Sequence, residues 1–421
     1  MLQRGGAGVP PVQDALADAW RRFRRTVGLL GPAFVAAVAY VDPGNFATNT
    51  AAGARYGYLL VWVVVVANVL AMLVQYLSAK LGLATGQSLP EVSRARFRRP
   101  VVWGLWLQAE LVALATDLAE VLGGAIALEL LFDVPLLAGA LITGLVTIAL
   151  LAIQSERGQK RYERVVVGLL AVVLIGFIYS TIAGGVSPGG LGRGLVPRFD
   201  GTDSLLLAVG MLGATVMPHV VYLHSALVRD RYGEKLADGP KRRLLHVVRV
   251  DVVVAMAVAG LVNLAMLIVA ANSLHGRDVE SLVEAHTALR EVLGSTAAVL
   301  FALALLASGF ASSSVGTYAG AVVLSGFLER QIPLIARRLV TLTPAVVIVA
   351  SGIDASRALV LSQVVLSFGI PFALWPLVML TRRRDVMGGF VNRRRTTLAA
   401  GATAVLVSVL NLVLIGSVIA G

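Results

Sequence analysis

Eleven apolar stretches divide this chain, at about 29–52, 57–84, 101–130, 134–154, 165–184, 203–228, 247–272, 295–327, 335–352, 357–381 and 396–420. A helix needs about 20 predominantly apolar residues to cross the hydrocarbon core of a bilayer. Of the 421 residues, 57% are hydrophobic and 14% charged, where a soluble domain carries about 25% charge. The pattern specifies an all-α polytopic membrane protein with one transmembrane domain over 29–421. Residues 1–28 are polar and Arg-rich and lack a small-residue cleavage site, so they read as a cytosolic tail and not a signal peptide. The absence of cysteine excludes disulfides, thiolate metal sites and Cys nucleophiles.

The basic residues orient the spans. With the N-terminus in the cytoplasm, 30 of the 36 lysines and arginines fall on the cytoplasmic side. Arg55, Arg193, Arg198, Arg277, Arg290 and Arg357 are the exceptions. This bias supports an odd number of spans, N-terminus in and C-terminus out. It also accounts for the net charge of +12 as topology and attraction to lipid headgroups, without nucleic acid as a partner.

Within span 1, no residue from Val27 to Val41 is charged, and none from Pro43 to Ala54, yet Asp42-Pro43-Gly44-Asn45 lies between them. A carboxylate at mid-bilayer costs roughly 2.5–3.5 kcal/mol on insertion scales. Proline removes a backbone donor and glycine relaxes a helix. The tetrapeptide therefore predicts a broken helix with Asp42 and Asn45 oxygens beside freed carbonyls, which is cation-binding chemistry. Asp before Pro is also a good N-cap for a second half-helix, and the two roles are compatible.

Span 6 carries a second break signal, Met217-Pro218-His219. Pro218 frees a carbonyl one turn back, at or near Ala214. Interruptions five spans apart suit two five-helix repeats plus an eleventh helix, about 29–184, 203–381 and 396–420. An odd repeat inserts its second copy inverted, and paired broken helices mark transporter sites. Met in an apolar helix is ordinarily core filler. Opposite Asp42 and beside a break, Met217 becomes a candidate ligand whose thioether favours transition metals over Mg²⁺ and Ca²⁺. His219 suits proton handling, with a satisfied buried histidine as the alternative. His224, near the cytosolic end, reads as structural.

Glu110, Asp117 and Glu120 share one face of span 3. A line of buried acids is a proton relay; pairing with Arg337 or Arg338 on span 9 is the alternative, and a relay needs such a counter-charge. Gln363, Asn263 and Thr215 are polar groups inside spans and ordinarily join helices, with Gln363 the best of them for a metal contact. Gly316 and Gly320 predict close helix packing. No G-x-x-x-x-G-K-[ST] loop supports ATP use, and no HExxH or GxSxG motif supports an enzyme. An organic-solute symporter of similar architecture would present a helix N-terminus to a substrate carboxylate, which Asp42 would repel. A passive metal pore is the remaining rival.

Asp42-Pro43-Gly44-Asn45 and Met217-Pro218-His219, at their places in spans 1 and 6, resemble the Nramp family of divalent-metal transporters, in particular its bacterial proton-coupled manganese importers. The resemblance runs from Gly31-Pro32-Ala33-Phe34 through span 11. It implies a LeuT-like fold with two inverted five-helix repeats, helices 1 and 6 broken, in a bacterial plasma (inner) membrane. It implies Asp42, Asn45, the Ala214 carbonyl and Met217 as metal ligands. It implies His219, Asp117 and Glu120 in proton movement, with Arg337 or Arg338 as partners. Mn²⁺ and Fe²⁺ are the implied substrates, with no cofactor. Val220 departs from the pattern, since many members have Asn directly after the His.

Overall fold

The computed structural model describes residues 31–232, 238–277, 279 and 281–420, so the basic N-terminal segment lies outside the described residues. All regular structure among them is helical. Span 1 is two helices, α1 (Pro32–Ala39) and α2 (Pro43–Tyr56). Then follow α3 (Val61–Thr85), a short α4 (Leu89–Arg96), α5 (Arg99–Phe132), α6 (Leu136–Arg157), α7 (Gln159–Gly184) and a short α8 (Pro188–Gly194). Span 6 is again two helices, α9 (Gly201–Thr215) and α10 (Pro218–Tyr232). The chain continues with α11 (Asp238–Ser273), α12 (Leu282–Leu293), α13 (Ser295–Leu328), α14 (Leu334–Ala350), α15 (Ala355–Thr381), a short α16 (Arg384–Met387) and α17 (Arg394–Ala420).

Eight of these elements are apolar and long enough to cross a membrane by length and composition, with α9 and α10 counted as one. The three further expected spans coincide with the α1–α2 pair, with α6, whose apolar part is Leu136–Ala152, and with the 17-residue α14. The interrupted helices lie at the centre: α2 packs on α11, α9 and α15, and α10 on α3 and α13. Long α5 runs against α13 and α15 and completes the wall around the breaks.

Helix ends at one rim are satisfied by neighbours rather than locally. Gly31 has no capping side chain, and the Asp251 carboxylate of α11 accepts from the Gly31 and Ala33 amides at 3.2 and 3.1 Å. This supplies the acceptors that the first turn of α1 needs. At the end of α10, Arg231 pairs with Glu163 of α7 at 2.7 Å. Arg229 pairs with Glu91 of α4 at 2.6 Å, and Glu91 also accepts from the amide and hydroxyl of Ser88 at 2.6 and 2.8 Å. Half of each broken helix is thereby tied to its surroundings by charge and capping bonds.

Glu91 lies outside the spans. Burial pushes its carboxyl pKa up, but the Ser88 hydrogen bonds and the Arg229 guanidinium outweigh burial and hold it below the usual range. A depressed folded pKa contributes stability above the unfolded value of about 4.3, and that stability is lost as pH falls through the folded value. Glu91→Gln should therefore lower stability by about 1 kcal/mol at neutral pH. In thermal unfolding of the detergent-purified protein, the gap from wild type should close on acidification below that range.

Candidate metal site

The span 1 break follows from two residues. A residue before proline is driven to extended backbone, and Asp42 sits at φ −79°, ψ 168°. Its side chain then caps α2, with Oδ1 accepting from the Asn45 amide at 2.8 Å. The carbonyls around the break turn to other helices. Tyr40 O accepts from Asn263 Nδ2 of α11 at 2.8 Å, and Val41 O from Ser308 Oγ of α13 at 2.6 Å. Broken backbone at membrane depth is tolerated where neighbours re-satisfy its polar groups.

In span 6, Val216 and Met217 stand between α9 and α10. Pro218 has no N–H to offer Ala214, whose carbonyl instead accepts from Asn45 Nδ2 at 2.9 Å. The same Nδ2 donates to Asp42 Oδ1 at 2.7 Å. The electropositive end of the Asn45 amide thus lies between a carboxylate oxygen and a freed carbonyl, where a cation would be attracted. A half-turn of the amide presents Oδ1 there instead and yields a third oxygen. Asp42 Oδ2 and Gln363 Oε1 are buried without hydrogen-bond partners. Asp42, Asn45, Met217 and Gln363 are all 0% exposed.

Gln363 reaches this place because two glycines leave room. A methyl group at Gly44 would overlap the Gln363 amide, and one at Gly213 would overlap the Gln363 backbone carbonyl. Thr215 joins spans 6 and 1 as expected, donating to Asn45 Oδ1 at 3.4 Å. Among the described residues no three His, Asp or Glu gather into a metal cluster. One carboxylate, an amide and a freed carbonyl are what the two breaks bring together, with Met217 in the linker between α9 and α10.

His219 begins a polar layer below the break. Its Nδ1 lies 3.3 Å from Thr116 Oγ1 of α5, and the Thr116 hydroxyl already donates to Val112 O at 3.0 Å. The Thr116 hydroxyl has one hydrogen to share between the Val112 carbonyl and the imidazole. Nε2 is buried and has no hydrogen-bond partner. His224 behaves structurally, facing Gln75 at 2.7 Å, while Gln75 donates to the Tyr40 hydroxyl at 2.5 Å.

The span 3 acids pair with span 9 in a definite order. Arg338 holds Asp117 at 3.1 Å and is anchored by Ser313 at 2.6 Å; Arg337 holds Glu110 at 2.7 Å. Glu120 is fully buried beside Asp117, forms no ion pair among the described residues, and lies within the fields of Asp117, Arg338 and Asp42. The packing expected of Gly316 and Gly320 needs correction. A methyl at Gly316 would press on the Glu120 carboxylate, and one at Gly320 on the Arg337 guanidinium. These glycines make space for charged side chains, not for a neighbouring backbone.

Over residues 33–417 the sequence matches the family described as natural resistance-associated macrophage protein-like, Nramp. The chain belongs to the Nramp family. It is 55% identical over 413 residues to the divalent metal cation transporter MntH of Mycobacterium leprae, covering 98% of this chain and 95% of that one. Its identity to the Bacillus subtilis divalent metal cation transporter MntH is 48%, covering 96% and 95%. A crystal structure of the Eremococcus coleocola manganese transporter, in complex with an aromatic bis-isothiourea substituted compound, superimposes with a TM-score of 0.84. That pair is 32% identical and covers 94% of this Nramp chain and 87% of the other. Mhp1, a nucleobase-cation-symport-1 family transporter, shares the fold at a TM-score of 0.61 and 17% identity, over 91% and 90% of the two chains. The Nramp chain accordingly has the LeuT-like fold.

The two glycines against Gln363 differ in what they face. Gly213→Ala pushes backbone against backbone and should destabilise by about 2 kcal/mol or more, as overpacking does. Gly44→Ala displaces only the end of a flexible side chain and should cost under about 1 kcal/mol. Melting temperatures of the two variants, compared in one detergent, check this order.

Proposed function

We propose that this protein imports Mn²⁺ and Fe²⁺ across a bacterial plasma membrane by alternating access, coupled to protons. The observation that carries the reading is the convergence of both helix breaks on Asn45, which joins Asp42 to the Ala214 carbonyl three residues before Met217. Oxygens alone would suit Mg²⁺ or Ca²⁺ equally. A thioether adds preference for softer transition metals, while the oxygens keep Mn²⁺ and Fe²⁺ acceptable. Asp42, Asn45, Ala214 through its carbonyl, and Met217 are the proposed ligands, with Gln363 as a further contact. The names of the relatives, divalent metal cation transporters and a manganese transporter, support this substrate class. A carboxylate at the break argues against a carboxylate-bearing organic substrate.

Full burial of the four side chains means that an ion enters or leaves only when one side opens. Eleven spans, with repeats over about 29–184 and 203–381, the N-terminus in and the C-terminus out, give that movement its frame. Protons would be carried by His219, Glu120 and Asp117, with Arg338 and Arg337 as counter-charges. Metal arriving at Asp42 favours its ionised form, and the fields linking Asp42 to Glu120 offer the displaced proton a destination. Neither ATP nor nucleic acid enters the scheme.

Uptake into proteoliposomes under an acid-outside gradient tests the site. Asp42→Ala should reduce Mn²⁺ uptake to background; wild-type-like uptake would sink the assignment. Met217→Ala should lose Cd²⁺ uptake far more than Mn²⁺ uptake and admit Ca²⁺. Equal losses for all ions would remove its role in selectivity.

The Asp117–Arg338 pair separates structure from proton movement. Arg338→Met alone leaves a buried carboxylate uncompensated and should cost about 3–5 kcal/mol. Adding Asp117→Leu should restore most of the stability, because replacing both members of a buried pair is often neutral. If the pair serves the proton route, the double variant melts like wild type yet loses the pH dependence of uptake. Retained pH dependence would leave the pair a structural role alone.

A further inference from the structure

A group of cations at the cytosolic ends of α3 and α11 has no place in the transport scheme. Lys80 is 7% exposed, and its Nζ donates to Asn392 Oδ1 at 2.7 Å, in the segment that leads into α17. The charges facing Lys80 are those of Arg249 on α11 and Arg393 beside Asn392. Arg249 lies over the Tyr76 ring, 5.2 Å from its centroid, and donates to its hydroxyl at 3.3 Å. Arg242, two turns earlier on α11, lies 5.7 Å from the Phe390 ring centroid. Tyr76 and Lys80 are one turn apart on α3, so three elements converge here. Among the described residues none of these four cations forms an ion pair with a carboxylate.

Like charges repel, and holding several together is unfavourable unless an anion joins them. Two of the guanidiniums rest on aromatic faces, which orients them and leaves most of their N–H donors free. The depth of the group identifies the anion. Arg249 is exposed, and one turn deeper on the same face Val253 is 47% exposed, with Leu261 at 61% two turns beyond. The cations therefore sit directly at the edge of the apolar, lipid-facing band of α11, at headgroup level. We propose that the basic cluster between α3, α11 and the segment around 390–393 binds the phosphate headgroup of an anionic phospholipid. Lys80 forms its floor, and Arg242, Arg249 and Arg393 form its rim. Basic pockets between helices on the cytoplasmic side recognise lipid phosphates in this way.

The test is native mass spectrometry of the full chain, delipidated in neutral detergent and titrated with phosphatidylglycerol, phosphatidylcholine or inorganic phosphate. The triple variant Arg242→Gln, Arg249→Gln, Arg393→Gln removes three exposed charges. At about fivefold per basic residue it should bind phosphatidylglycerol roughly a hundredfold more weakly, with phosphatidylcholine unaffected. The charge-preserving triple change to Lys should keep most of the binding. A control triple at exposed cytosolic arginines elsewhere, Arg98→Gln, Arg99→Gln, Arg330→Gln, should leave the titration unchanged. Equal loss in the control, or no loss in the first triple, overturns the site. Occupancy by inorganic phosphate at the concentrations where phosphatidylglycerol binds overturns the lipid assignment.

Discussion

A peptide group released from a helix inside a membrane must find another partner, because lipid offers none. This chain releases such groups twice, at Pro43 and Pro218, and the arrangement around them follows from where those partners come from. Asn263 serves Tyr40, Ser308 serves Val41, and Asn45 serves Ala214. Three helices that never break, α5, α11 and α13, supply the walls and most of the donors. The breaks are consequently stable features of the fold, with their oxygens collected at one place.

Asn45 is the residue through which the two breaks communicate. One amide group contacts a carboxylate from span 1 and a carbonyl from span 6. At the proposed site an entering cation would compete for both oxygens at once and displace the Nδ2 group between them. Binding is then linked to the relative position of the two broken helices. At one rim, α1 takes its cap from Asp251 on α11, and α10 is held through Arg229 and Arg231. Those bonds connect half of each broken helix to its surroundings.

The charges are arranged by depth. Arg337 answers Glu110, Arg338 answers Asp117, and the innermost acid, Glu120, has no cation of its own. Gly316 and Gly320 make the arrangement sterically feasible by leaving volume for a carboxylate and a guanidinium. Such a role differs from the close helix contact that small residues four apart ordinarily signal in membranes.

The apolar spans and both breaks are legible in the chain itself. Apolar length, the bias of Lys and Arg, and proline within a span are local or additive properties. Asp42, Asn45, Met217 and His219 could be singled out because each stands beside a proline that breaks a helix. Tertiary structure alone decided that Arg338, not Arg337, meets Asp117, since neighbouring arginines on a helix point about 100° apart and only packing selects between them. It alone chose Ser308 from the several serines of α13 to cap Val41, and Asn263 to cap Tyr40. It also turned a small-residue pair into space for charge. Contacts between residues more than two hundred positions apart leave no trace in local sequence. The chain determined which groups would be exposed by broken backbone, and the fold determined which neighbours answer them.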